Sequence, residues 1–85
     1  MFKTEIKTNE VCRIAEIGKE DAFFYIKEHF IGKKVRFVKY RYKFSLFTYS
    51  CYLEFMEPVV GEAATILAGQ TRFFSYVKLE KCQAN

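Results

Sequence analysis

His29 is the only histidine in this chain of 85 residues, so any acid–base or nucleophilic chemistry of the histidine type has to pass through it. It stands between Glu28 and Phe30, with no serine or cysteine at local spacing, and its expected role is that of a surface or helix-end residue. Together with Cys12, Cys51 and Cys82 it makes up a Cys₃His set of the kind that binds zinc. Structural zinc sites take their ligands in close pairs, however, and none of these four lies near another in sequence. An odd number of cysteines without a Cys-x-x-Cys pair is the usage of a reducing compartment, so the three read as free thiols and mostly as core fillers. Paired carboxylates occur only as Glu20-Asp21, which a helix N-terminus accounts for. The four glycines stand alone and form no phosphate-cradling loop. These residues define no catalytic set, no metal site and no cofactor, and the expectation is a non-enzymatic protein.

The charged residues are more informative. The net charge is +4, and between Lys27 and Lys43 lie seven bases (Lys27, Lys33, Lys34, Arg36, Lys39, Arg41, Lys43) against one acid, Glu28. The rest of the chain holds seven bases and nine acids, so the whole positive balance comes from this segment. A one-sided field of that kind attracts phosphate or acidic protein surfaces. Within it, Lys39-Tyr40-Arg41-Tyr42-Lys43-Phe44 alternates cation and ring, which on a regular strand puts the three cations on one face and the three rings on the other. The expected contacts for a nucleic acid or an acidic partner are Lys33, Lys34, Arg36, Lys39, Arg41 and Lys43, with Tyr40, Tyr42 and Tyr52 available for stacking.

The elements that must position these residues follow from periodicity. Val11 to Ile17 is short and β-branched and stops at Gly18, which predicts a strand. After Glu20-Asp21, Phe23, Ile26 and Phe30 recur at the i, i+3, i+7 spacing of one buried helical face, and Gly32 is a natural stop. From Lys34 the period becomes two. Strands are expected over 34–44 and 48–56, the second with Tyr49, Cys51, Leu53 and Phe55 on one face and with Ser45 to Phe47 as the turn between the two. Pro58 and Gly61 bracket a loop, 63–68 reads as a short strand by its length and the following Gly69-Gln70 although its alanines favour a helix, and 72–80 reads as a last strand with Phe73, Val77 and Leu79 facing inward. The last three residues, Gln83-Ala84-Asn85, should fray.

The length allows one domain, with its core over about residues 10–81. Ten Phe and six Tyr, each able to bury roughly 150–250 Å², supply the bulk that so short a chain otherwise lacks. The N-terminal stretch is charged and no run approaches the roughly 20 apolar residues of a spanning helix, so a cytoplasmic protein without membrane contact is expected. The fold class is mainly β: a small five-stranded barrel or strongly bent sheet, with one short helix inserted after the first strand, in which closure removes exposed edges.

Phe30-Ile31-Gly32-Lys33-Lys34-Val35-Arg36-Phe37-Val38 resembles the glycine and V-x-V strand that open Src-homology-3-like small barrels, including the KOW-type modules of transcription and translation proteins. Phe74 to Glu80 is similar to the closing strand of such barrels, and the order of elements matches over about residues 10–81. The helix at 20–30 is an addition to that pattern. The chain also has no Trp and no acidic loop of the kind used by the proline-peptide-binding members, so the resemblance points away from polyproline recognition.

Two functional classes emerge. The first is a binding module that meets nucleic acid through the basic strand. The second is a protein–protein interaction module, such as an assembly subunit or a small inhibitor of a larger enzyme, because sixteen aromatic rings exceed what one small core hides. The abundance of Lys, Phe, Tyr and Ile fits an AT-rich bacterial or phage genome.

Overall fold

The computed structural model of the chain describes residues 5–62 and 65–82. The fraying expected at residues 83–85, and residues 63–64 of the expected fourth strand, lie outside them. The elements are β1 (Val11–Ile17), a 3₁₀ helix (Phe24–His29), β2 (Lys34–Lys43), β3 (Thr48–Phe55), β4 (Val59–Val60), β5 (Thr65–Ile66) and β6 (Thr71–Lys81). The protein is mainly β, as the period-two runs require.

The four long strands are antiparallel and follow the order β1-β2-β3-β6, and β6 pairs in turn with β1. The remaining two form a separate hairpin, β4 with β5. The expected five-strand arrangement is corrected accordingly. Among the described residues of the 63–68 stretch, Thr65–Ile66 forms a strand, and its partner is Val59–Val60, in the stretch that Pro58 and Gly61 mark as loop. Strands of two residues show no periodicity, and only their partner reveals them.

The segment after Asp21 is not the α-helix that its spacing predicts. Its bonds run from residue i+3 to residue i, as in Phe24 N–H to Asp21 C=O, and Ile26 leaves helical geometry at φ −126°. Aromatic and β-branched residues lose rotamer freedom in an α-helix. In addition, the buried Asp21 carboxylate accepts the backbone N–H of Phe23 at 2.8 Å and of Tyr76 at 3.0 Å, tying the first turn to β6. The segment still delivers rings to the core: Phe30 is fully buried, and Phe23 packs on Phe30 and Phe74 at centroid distances of 5.0 and 4.9 Å. Gly32 then turns the chain into β2 at φ +87°, where a side chain would strain the backbone.

Along β3 the expected face is the buried one, with Tyr49, Cys51, Leu53 and Phe55 all inside. On β6, Val77 and Leu79 are buried as expected, but Phe74 replaces Phe73. The cause is a register shift. Tyr49 lies opposite Val77 and Cys51 opposite Phe74, so Ser75 and Tyr76 share the place across from Ser50 and the inward parity changes there. Cys12 and Cys51 are core fillers, and burial pushes both thiols up, that of Cys12 to about 12.

Residues 5–10 lead into β1 and close one edge of the core. Ile6 is buried and donates its N–H to the Tyr49 hydroxyl at 3.2 Å, while that hydroxyl donates to Leu46 C=O at 2.8 Å. Burial raises the Tyr49 phenol above its ordinary range. Lys81 Nζ fastens the leader by donating to Glu10 at 2.8 Å and to Glu5 C=O at 2.9 Å. Burial works against the Glu10 charge, but the Lys81 ammonium and the Lys7 N–H outweigh it and hold the carboxyl below its ordinary value. Among the described residues no helix is long and apolar enough to cross a membrane.

Candidate nucleic-acid interface

The alternating cation–ring run lies on the second half of β2, and two bulges rearrange it. Register shifts fall between Phe37 and Lys39 and between Tyr40 and Tyr42, leaving Lys39 opposite Tyr52, Tyr40 opposite Cys51, Tyr42 opposite Ser50 and Lys43 opposite Tyr49. Directly paired residues share a face. Because Tyr49 and Cys51 point inward, Tyr40 and Lys43 lie on the inner side, whereas Lys39 and Tyr42 lie on the outer side with Ser50 and Tyr52. The expected separation of all cations from all rings is therefore corrected, since each extra residue flips the parity of those that follow.

The result is a mixed outer face on β2, β3 and β6. Lys39, Tyr52 and Phe73 form a row across the three strands, through the pairs Lys39–Tyr52 and Tyr52–Phe73. The two rings touch at a centroid distance of 4.9 Å, tilted by 53°. Lys39 Nζ lies 5.5 Å from the Tyr52 centroid, and Arg41, reaching past β3, places its guanidinium carbon 5.8 Å from the Phe73 centroid. Both distances are at the outer limit of cation–π attraction, where each contact contributes about 0.5 kcal/mol and is easily exchanged. A second group of rings, Tyr42, Phe44 and Tyr76, is linked by centroid distances of 4.8 and 4.6 Å. Tyr42 and Phe44 are 60% and 45% exposed, so these rings are surface and not core. Tyr76 also lies over Gly18, where a Cβ would come within 2.4 Å of the ring, which fixes glycine at the end of β1.

The expected contact residues divide as follows. Lys39 and Arg41, with Tyr42 and Tyr52, come together on this face. Tyr40 is 51% exposed but packs on the other side, against Tyr49 and Phe37. Arg36 points outward yet is held by Glu54 and Asn9. Lys43 is paired with Glu5, whose hydrogen bond raises the ammonium above its ordinary range. Lys33 and Lys34 precede the run, roughly 17 Å from Lys39 along the strand, and the Lys34 N–H donates to Glu57. Phe73 and Tyr76 belong to the face and escaped sequence reasoning. The doublet Phe73-Phe74 carried the signal, because adjacent strand residues face opposite sides and one of two rings must point outward.

Elsewhere, His29 packs beside Gly61 with Nε2 3.9 Å from Glu28. A groove of about 370 Å³ runs between β1 and the 3₁₀ helix, bounded by Ala15, Ile17, Phe24, Lys27 and Ile31. Its lining contains no His, Ser or Cys. Among the described residues, no three His, Cys, Asp or Glu side chains gather as a metal-ligand group.

No family model matches this chain, and no curated protein or solved structure is significantly similar to it.

Proposed function

We propose that this protein is a non-enzymatic module that binds nucleic acid through the outer face of β2, β3 and β6. The observation that carries this reading is the row in which Lys39 and Arg41 lie over the rings of Tyr52 and Phe73. Cations satisfied only by such contacts exchange readily onto phosphate, and the rings they uncover are flat apolar surfaces for bases. The carboxylates placed by this face favour the reading too: Glu54 is engaged by Arg36, so it does not oppose a polyanion at the row. We further read the ring of pairings from β1 through β2, β3 and β6 back to β1 as a small Src-homology-3-like barrel, supported by Gly32 ahead of β2 and by β6 as the closing strand.

Retention of labelled oligonucleotides at increasing salt tests the function. Binding should weaken as salt rises, and the double variant Lys39→Gln/Arg41→Gln should lower the logarithmic salt slope by about 1–2, since each neutralised phosphate contributes about 0.7–0.9. Retention that is absent or insensitive to salt would decide against nucleic acid.

A second reading, a protein-interaction module, rests on a different place. Val59 and Ile66 face the core from the β4–β5 hairpin, which turns the exposed Val60 and Leu67 to the surface. Solution mass at increasing concentration, with Val60→Ser as the control, tests that reading.

A further inference from the structure

We infer that the ligand of the β2–β3–β6 face is single-stranded nucleic acid, with bases stacked on Tyr52, Phe73 and Tyr42 and with Lys39 and Arg41 on the flanking phosphates. This rests on the nucleic-acid reading and narrows it to one class of ligand.

Three observations carry it. The first is the placement of the rings. Tyr52 and Phe73 lie on the outer surface of a sheet, tilted by 53° to one another and partly exposed, with Lys39 and Arg41 over them. Once the two cations move onto phosphate, such a ring offers a π-face, and only an unpaired base can meet a π-face with its own; paired bases inside a duplex present edges alone.

The second is the number of cations. A duplex binder that relies on charge makes about 6–10 phosphate contacts. Here Arg36 is committed to Glu54 and Lys43 to Glu5 on the opposite side, and among the described residues Lys39 and Arg41 are the cations that lie over the Tyr52 and Phe73 rings. Two cations are too few to hold a duplex by its backbone, so the affinity has to come from stacking. Duplex reading also asks for a helix or ribbon that enters a groove. The 3₁₀ helix has six residues and packs on β1.

The third is the second group of rings. Tyr42 lies across from Ser50, two residues from Tyr52 on β3, so it follows on the same face roughly 7 Å along the strand. With Phe44 and Tyr76 behind it, this group extends the stacking surface beyond one base.

The test compares an oligothymidine of about 12 nucleotides, within the site sizes of small sheet-based binders, with a duplex of the same length. The full chain should bind the single strand at least tenfold tighter. Tyr52→Leu and Phe73→Leu should each weaken single-strand binding by about tenfold, the loss expected for one stacked base, and leave duplex retention unchanged. The chain has no Trp, so Phe73→Trp places a lone reporter in the row, and its fluorescence should be quenched by the single strand and not by the duplex. Equal affinity for both ligands, with the leucine variants losing nothing, overturns the single-strand inference and leaves the nucleic-acid reading intact. Retention of neither ligand overturns both. Should a leucine variant fail to fold, the Phe73→Trp protein decides alone, and an unquenched signal at saturation refutes stacking.

Discussion

The two halves of β2 have similar composition and opposite fates. From Lys34 to Phe37 the strand alternates regularly, buries Val35 and Phe37, and is flanked on both sides, by β3 and by β1 with its leader. That companionship ends where Asn9 N–H reaches Phe37 C=O at 2.6 Å. From Lys39 onward β3 is the one strand alongside among the described residues, two bulges break the alternation, and residues 39–42 are all exposed. A strand edge without a partner is a hazard that bulges and cations commonly blunt. In this protein the same devices leave cations and rings on one surface, so protecting an edge and gathering cations beside rings become one arrangement.

Mutations that should cost much in the first half and little in the second test this contrast. The largest difference is expected between rings. Phe37→Ala should destabilise the fold by about 3–5 kcal/mol, enough to leave so small a domain largely unfolded, because its 1% exposed ring is replaced by a cavity. Tyr42→Ala should change stability by less than about 1 kcal/mol. Urea denaturation followed by circular dichroism measures both, and equal losses would erase the distinction between the halves.

A smaller difference is expected between cations. Arg36→Gln should cost about 1 kcal/mol, since it leaves the largely covered Glu54 carboxylate without its partner. Arg41→Gln should stay within about 0.5 kcal/mol, because its guanidinium meets only a ring at the limit of cation–π range. A stability loss for Arg41→Gln as large as that for Arg36→Gln would assign it a structural role and weaken its place in the interface.

The smallest effect concerns the leader that flanks the first half. Glu10 is held by Lys81 with its carboxyl below the ordinary value of 4.5, so its contribution is fully present above that value and is lost as pH falls through the lowered one. The contribution should be at most about 1 kcal/mol near neutrality. Glu10→Gln should therefore lower the urea midpoint at pH 7 and converge with the parent protein as pH falls through the lowered value. A constant offset at every pH would mean that the residue acts through packing instead of charge.

How far each feature was legible depended on how locally it is encoded. β1 was read as a strand, and β3 together with its inward residues, because a breaking glycine and a two-residue period are local signals. The basic character of the 33–43 segment was equally plain. The 3₁₀ geometry was not, since the ring spacing of Phe23, Ile26 and Phe30 is shared by an α-helix, and the deciding contact, Asp21 to Tyr76, spans 55 positions. β4 and β5 were too short to carry a pattern at all.

That the protein is mainly β, that aromatic rings supply much of its core and that its positive charge is concentrated in one segment were all legible in the sequence, because period, bulk and charge are properties of neighbouring residues. Which of those cations and rings meet was decided by tertiary structure alone. Bulges depend on how many residues the partner strand sets opposite, so the shifts in β2 and β6 put Lys39 and Tyr42 on one face, brought Phe73 outward to join Tyr52, and left Arg36 and Lys43 to carboxylates far away in the chain.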